Sequence, residues 1–135
     1  MNPTLTALAG FISWSLLLLV LMETIRAKLV LTKAMAANGF TPDNSNLSPF
    51  MQRLARAHAN CVEGLPLFGG LMLIAVVAGR SAITDPLAYF LLSARIVQSV
   101  IHLSSLSALA VTLRFAAFLI QMGIGVYWAL RLLFA

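Results

Sequence analysis

The stretch RAHANCVEGLPLF, residues 56–68, decides how this chain is read. It sets Arg56, Asn60 and Glu63 among apolar neighbours at steps of four and three residues, the spacing that aligns side chains along one helix face. An ionised guanidinium or carboxylate in an apolar setting is costly unless it is paired or put to use. Whatever fold these residues belong to must therefore supply them with partners.

The surroundings of the stretch settle the broad class. Of 135 residues, 61% are hydrophobic and 10% charged, and the mean hydropathy is +0.95. A soluble domain carries about 25% charged residues, so the expectation is an integral membrane protein. The N-terminal MNPTLTALAG lacks a basic region, and the apolar run after it is long enough to remain in a bilayer, which argues against a cleavable signal. A single cysteine, Cys61, excludes an intrachain disulfide framework and a multi-cysteine metal site. No metal is expected. The net charge of +5 comes from basic residues scattered singly along apolar segments, without runs or interleaved aromatics, which speaks against nucleic acid.

A spanning helix needs about 20 mainly apolar residues. Four such segments fit one all-α domain over 1–135, at about 5–33, 49–78, 85–105 and 111–133. The substantial loop between the first two, AMAANGFTPDNSNL, is rich in Asn, Gly, Pro and Ser. Ser48-Pro49 reads as an N-cap followed by proline in the first turn, and Thr84-Asp85-Pro86 repeats that signal after the turn at Gly79-Arg80-Ser81. Trp14, Tyr89, Tyr127 and Trp128 suit interfacial belts. Lys28, Lys33, Arg53 and Arg56 flank the first loop and Arg114 borders the third, against Arg80 and Arg131 on the other side. The positive-inside rule then predicts a multi-pass protein with the first and third loops cytoplasmic and both termini outside, in the inner membrane if the source is a bacterium.

The polar residues form stripes. On the second span Arg53, Arg56, Asn60 and Glu63 fall within an arc of roughly 80°. Arg95, Gln98, His102 and Ser105 repeat the spacing on the third span, and Arg114, Phe118, Gln121 and Gly125 share a face of the fourth. By depth, all of these lie toward the first- and third-loop side, as do Glu23 and Arg26. The pattern predicts a cationic cavity open to that side. Each group also has a structural reading: an Arg56–Glu63 ion pair, Arg53 as a snorkelling anchor, Glu23–Arg26 as an i, i+3 pair, His102 as a packing residue, and Cys61 as a small core side chain.

The pattern R-A-x-x-N-x-x-E-x-x-P-x-F, which here runs from Arg56 to Phe68, resembles the MAPEG family, the membrane-associated proteins in eicosanoid and glutathione metabolism. The likeness extends through ARIVQSVIH on the third span and VTLRF at the opening of the fourth. It implies a homotrimer of four-helix protomers that binds glutathione between subunits. Carried over by position, Arg56, Asn60, Glu63 and Arg95 match glutathione-holding residues, with Arg53, Gln98 and His102 on the same stripes, and Arg114 matches the arginine that activates the thiol. The eicosanoid-forming members have tyrosines where this chain has Gln98 and His102, which points away from a specific leukotriene or prostaglandin activity. The segment between His102 and Arg114 is also longer here.

Arginine suits carboxylates through its planar fork, a glutamate suits an ammonium, and a guanidinium near a thiol favours the thiolate. The expected function is a membrane glutathione S-transferase, with glutathione peroxidase activity as a related possibility. Its second substrate is an apolar electrophile or a lipid hydroperoxide delivered through the membrane lipid. A non-catalytic lipid- or ligand-binding trimer is the alternative. A small multidrug exporter has a similar size and an intramembrane glutamate, but a cation-coupled pump needs an acidic cavity, and this one is basic.

Overall fold

A computed structural model describes residues 1–134, among which every regular element is helical. The helices are α1 (Pro3–Leu31), α2 (Pro49–Gly64), α3 (Gly70–Val77), α4 (Asp85–Ser104) and α5 (Ala108–Phe134), with one π-helical turn, Leu65–Gly69, joining α2 to α3. Counted through that turn, four helices are long and apolar enough to cross a membrane. The π turn has a local cause. Pro66 has no N–H to give the carbonyl four residues back, and its ring crowds that carbonyl, so the helix widens by one residue instead of continuing as α.

The helix ends follow from capping. Ser48 Oγ accepts from the Met51 amide (3.3 Å), with Pro49 in the first turn, as the Ser48-Pro49 pair predicts. The first span differs from its expected bounds at both ends. Asn2 Oδ1 accepts from the Leu5 amide (2.8 Å), which starts α1 at Pro3. At the other end the Lys33 and Ala34 amides turn back to the Val30 and Leu29 carbonyls, with Lys33 left-handed at φ 61°, and this closes α1 at Leu31. Gly79 closes α3 in the same way at φ +69°, where a side chain would be strained. The fourth span begins at Ala108 and not near 111, because Ser107 Oγ caps the Ala110 amide (3.2 Å).

Thr84 is the clearest departure among the caps. Its side chain does not cap α4; its hydroxyl donates to the Ser81 carbonyl (3.1 Å) and meets Thr4 Oγ1 at 2.6 Å. Asp85 reaches across to α1, where its Oδ1 accepts from the Thr4 amide (3.1 Å) and the Thr4 hydroxyl. A carboxylate at a helix N-terminus is favoured by the helix dipole, and here the helix it caps is its neighbour.

Helix α4 is central: it packs against α1, α2 and α5, while α1 also touches α2 and α3, and α5 touches α3. Two apolar clusters hold the bundle. One gathers Ala7, Phe11, Phe68, Met72, Ala88, Leu91, Ile124 and Trp128 toward the termini. The other gathers Leu18, Met22, Met51, Leu54, Ala55, Ala57 and Cys61 near the long loop. Trp128 therefore belongs to the core, fully buried, and not to an interfacial belt; Tyr89 and Tyr127 are exposed. Exposed Leu16, Leu17, Leu73, Phe90, Leu119 and Val126 give the outer surface the apolar character a bilayer requires.

Candidate functional site

Helices α2 and α5 stand on either side of α4, and the space between them is a groove of about 270 Å³. Its walls are Asn60 from α2, Gln98 and His102 from α4, and Val111, Arg114, Phe115 and Phe118 from α5. A hollow of about 160 Å³ adjoins it through Asn60 and Phe118 and brings in Glu63, Gly64, Leu67 and Phe68. From the three stripes, Asn60, Gln98, His102, Arg114 and Phe118 thus meet in one groove.

The hydrogen bonds run as a relay across the bundle. Asn60 Oδ1 accepts from Arg95 Nη1 and from Gln98 Nε2 (3.1 Å). Gln98 Oε1 accepts from Gln121 Nε2 (2.8 Å), which also donates to the Ala117 carbonyl (3.1 Å). Arg114 Nη1 donates to His102 Nδ1 at 3.0 Å. Arg95, Gln98, His102 and Gln121 are buried. The helical repeat explains why: with Arg95, Gln98 and His102 on one face of α4, all three meet the same neighbouring helices.

Arg95 lies beneath the groove and does not line it. It is 0% exposed, its guanidinium carbon sits 5.3 Å from the centroid of the Phe11 ring, and neither Nε nor Nη2 has a hydrogen-bond partner. No carboxylate meets it: among the described residues the one ion pair is Arg26–Glu23 at 3.1 Å. Gly64 makes room for it, since a Cβ there would come within 2.7 Å of Nη2. The ring of Phe11 offers a desolvated cation–π contact, on the order of 2 kcal/mol.

The remaining predicted residues are placed differently. Arg56 and Glu63 are exposed and form no ion pair with each other. Arg56 opens on a separate hollow of about 330 Å³ with Pro42, Asp43, Ser45, Gln52, Ala55 and Ala59. Arg53 donates from Nε to the Leu103 carbonyl (2.9 Å), fastening α2 to the last turn of α4. Glu23 pairs with Arg26, which also reaches Asn44 and the Thr41 carbonyl and so anchors the loop. Cys61 is buried with its sulfur 3.3 Å from Ser99 Oγ. Among the described residues no group of three His, Cys, Asp or Glu side chains could hold a metal ion.

Two features had no sequence signal that the spacing of polar residues could carry. Phe11 lies in a long apolar run that reads alike toward lipid or toward an arginine. Gly64 is one small residue among several, and its need becomes visible only once Arg95 is placed against it.

Compared with family models, residues 4–134, nearly the whole chain, match the one described as the MAPEG family. The chain belongs to the MAPEG family. No curated protein and no solved structure matches it. Membership ties this MAPEG chain to membrane proteins of eicosanoid and glutathione metabolism. The chemistry of its groove is specific to its own residues: two arginines, Arg95 below and Arg114 on the wall, among neutral amides, an imidazole and phenyl rings. The wall is electropositive, and it offers N–H donors to an anion.

Proposed function

We propose that this chain is a membrane-bound glutathione S-transferase that joins glutathione to apolar electrophiles arriving from the bilayer. The observation that carries the reading is the state of Arg114: it lies on an open groove, holds one hydrogen bond to a neutral imidazole, and has no carboxylate to neutralise it. A thiol is a weak nucleophile until it ionises, and a cation beside it favours the thiolate. Arg114 stands within two turns of the start of α5, where the helix dipole adds a positive field. The thiolate attacks the electrophilic carbon, and the leaving group departs with the bonding pair. Val111, Phe115 and Phe118 give the second substrate an apolar wall.

Glutathione carries two carboxylates and an ammonium. Arg56 suits a carboxylate, Glu63 the ammonium, and Asn60 the peptide backbone, which leaves Arg114 to the thiol. The exposure of Arg56 and Glu63 supports assembly as well. Facing lipid, these charges would be costly; facing a neighbouring copy across a tripeptide, they are matched. The site is therefore proposed to span the protomers of a homotrimer, facing the cytoplasm, with both termini on the opposite side. Reduction of lipid hydroperoxides by glutathione is the related activity.

The test is glutathione-dependent conjugation of a generic aryl halide by the purified protein in detergent. Saturable turnover, lost with Arg114→Ala, is the expected result. Binding of glutathione without turnover would leave the chain a non-catalytic ligand-binding member of its family.

A further inference from the structure

Arg114 stands in the second turn of α5 with its guanidinium on the groove wall, and one side chain holds it: its hydrogen bond is to His102 Nδ1, at 3.0 Å. A guanidinium has donors and no acceptor, so Nδ1 must be the unprotonated nitrogen of a neutral imidazole, with the ring proton on Nε2. His102 is itself fixed. It is 5% exposed, on the helix that packs against α1, α2 and α5. The short connection to α5 is pinned, with Ser105 Oγ accepting from the Ser107 amide (3.0 Å) and Ser107 Oγ accepting from the Ala110 amide (3.2 Å). The other side-chain acceptors that line the groove are engaged: Asn60 Oδ1 by Arg95 and Gln98, and Gln98 Oε1 by Gln121. His102 is thus the group of this wall that is free to receive Arg114.

The type of acceptor matters. An aspartate at this position would orient the guanidinium equally well, and would also cancel its charge. A neutral imidazole aims the fork and leaves the field of the cation whole. The one carboxylate in the neighbourhood, Glu63, lines the adjoining hollow and not this wall. We infer that His102 is a positioning residue, whose unprotonated Nδ1 directs the Arg114 guanidinium into the groove without neutralising it. This rests on the transferase reading only for the consequence, a stabilised thiolate, and not for the geometry.

Two measurements test it separately. The first needs no glutathione: ¹⁵N NMR of histidine-labelled protein, with His58→Gln to assign the two histidines. His102 should appear as the tautomer protonated at Nε2, and Arg114→Leu should move its Nδ1 resonance toward that of an imidazole nitrogen accepting no hydrogen bond. A ring protonated at Nδ1, or an Nδ1 resonance indifferent to Arg114→Leu, overturns the inference. The second follows kcat, KM for glutathione, and the thiolate absorbance of bound glutathione against pH. Asparagine carries its Oδ1 close to the place of Nδ1, so His102→Asn should keep most of kcat. His102→Leu should lower kcat roughly tenfold, about one hydrogen bond to a charged group, with a smaller change in KM. His102→Asp should hold Arg114 in place yet move the thiolate titration upward. If His102→Leu matches the wild type in kcat and titration, or His102→Asp outperforms His102→Asn, the inference fails. A protein that binds no glutathione would sink the transferase reading, and the tautomer would still decide the geometry.

Discussion

At the end of the bundle where both termini lie, Thr4 meets Thr84 and Asp85, Asn2 Nδ2 donates to Ser81 Oγ (3.1 Å), and Arg80 donates to the Leu132 and Arg131 carbonyls at 2.9 Å each. Thr4 and Thr84 are both 0% exposed and each has its partners, while the buried Trp128 indole Nε1, a neutral donor in the apolar cluster, has none. From the middle of the bundle to the loop end, the bonding of charged and amide groups is incomplete. Arg95 keeps two nitrogens unpartnered, Gln121 Oε1 has no donor, and Arg56 and Glu63 face outward. The first end uses polarity to fasten one helix to another. The second maintains donors and charge in an apolar setting at a cost in stability, which is reasonable only where a ligand or another copy completes the bonding.

That contrast can be broken in either direction. The largest effect belongs to the terminal end. Trp128→Ala should lower stability in detergent by roughly 3–5 kcal/mol, because it empties the middle of the larger apolar cluster. The unfolding midpoint should drop while the glutathione affinity of the folded fraction holds. Glu63→Gln should do the reverse. Exposed and in no ion pair, Glu63 contributes little to the fold, so the midpoint should stay put while glutathione binding weakens by roughly 1.5–3 kcal/mol. Intact binding combined with a lost oligomer would instead make Glu63 a structural residue between copies.

Asp85→Ala removes the acceptor of the Thr4 amide and hydroxyl and should cost roughly 1–3 kcal/mol of stability. Hydrogen exchange should speed up at the start of α1 and leave the loop end unchanged. The smallest effect is a pH dependence in the long loop. Thr41 and Ser45 donate to Asp43 and hold its carboxyl below the ordinary value of 3.8. A depressed folded-state value contributes stability above about pH 3.8, and that contribution is lost as pH falls through the lower folded value. Protection of the Ser45 amide, taken relative to its intrinsic exchange rate, should therefore be flat from neutral pH down to about 4 and fall only below it.

How much of this could be read from the sequence depended on the kind of signal. Four passes were legible because spanning helices must be apolar over their whole length, and the Ser48-Pro49 start was legible because capping is local. That Arg95, Gln98 and His102 share a face was legible too, by arithmetic alone. Partner choice was not. Asp85 does begin its own helix, yet its carboxylate caps α1. Trp128 in an apolar run reads the same toward lipid as toward the core. Arg53 shares the stripe of Asn60, yet the two turns between them take it to the Leu103 carbonyl. Periodicity gives the direction of a side chain, whereas its partner depends on how neighbouring helices are staggered, and no single helix encodes that.

The central claim is that Arg114 is kept unneutralised at the groove so that it can stabilise a thiolate. Its most direct test is the thiolate absorbance of glutathione bound to the purified protein, titrated with pH in the wild type, Arg114→Lys and Arg114→Ala. The wild type should ionise the thiol well below the ordinary value of about 8.5. Arg114→Ala should return it close to that value, with kcat falling far more than affinity, because the interaction strengthens as the sulfur gains charge. Arg114→Lys should recover only part, since a point charge replaces a planar fork. A thiol that titrates identically in all three proteins would contradict the account and leave Arg114 an anchor for the start of α5.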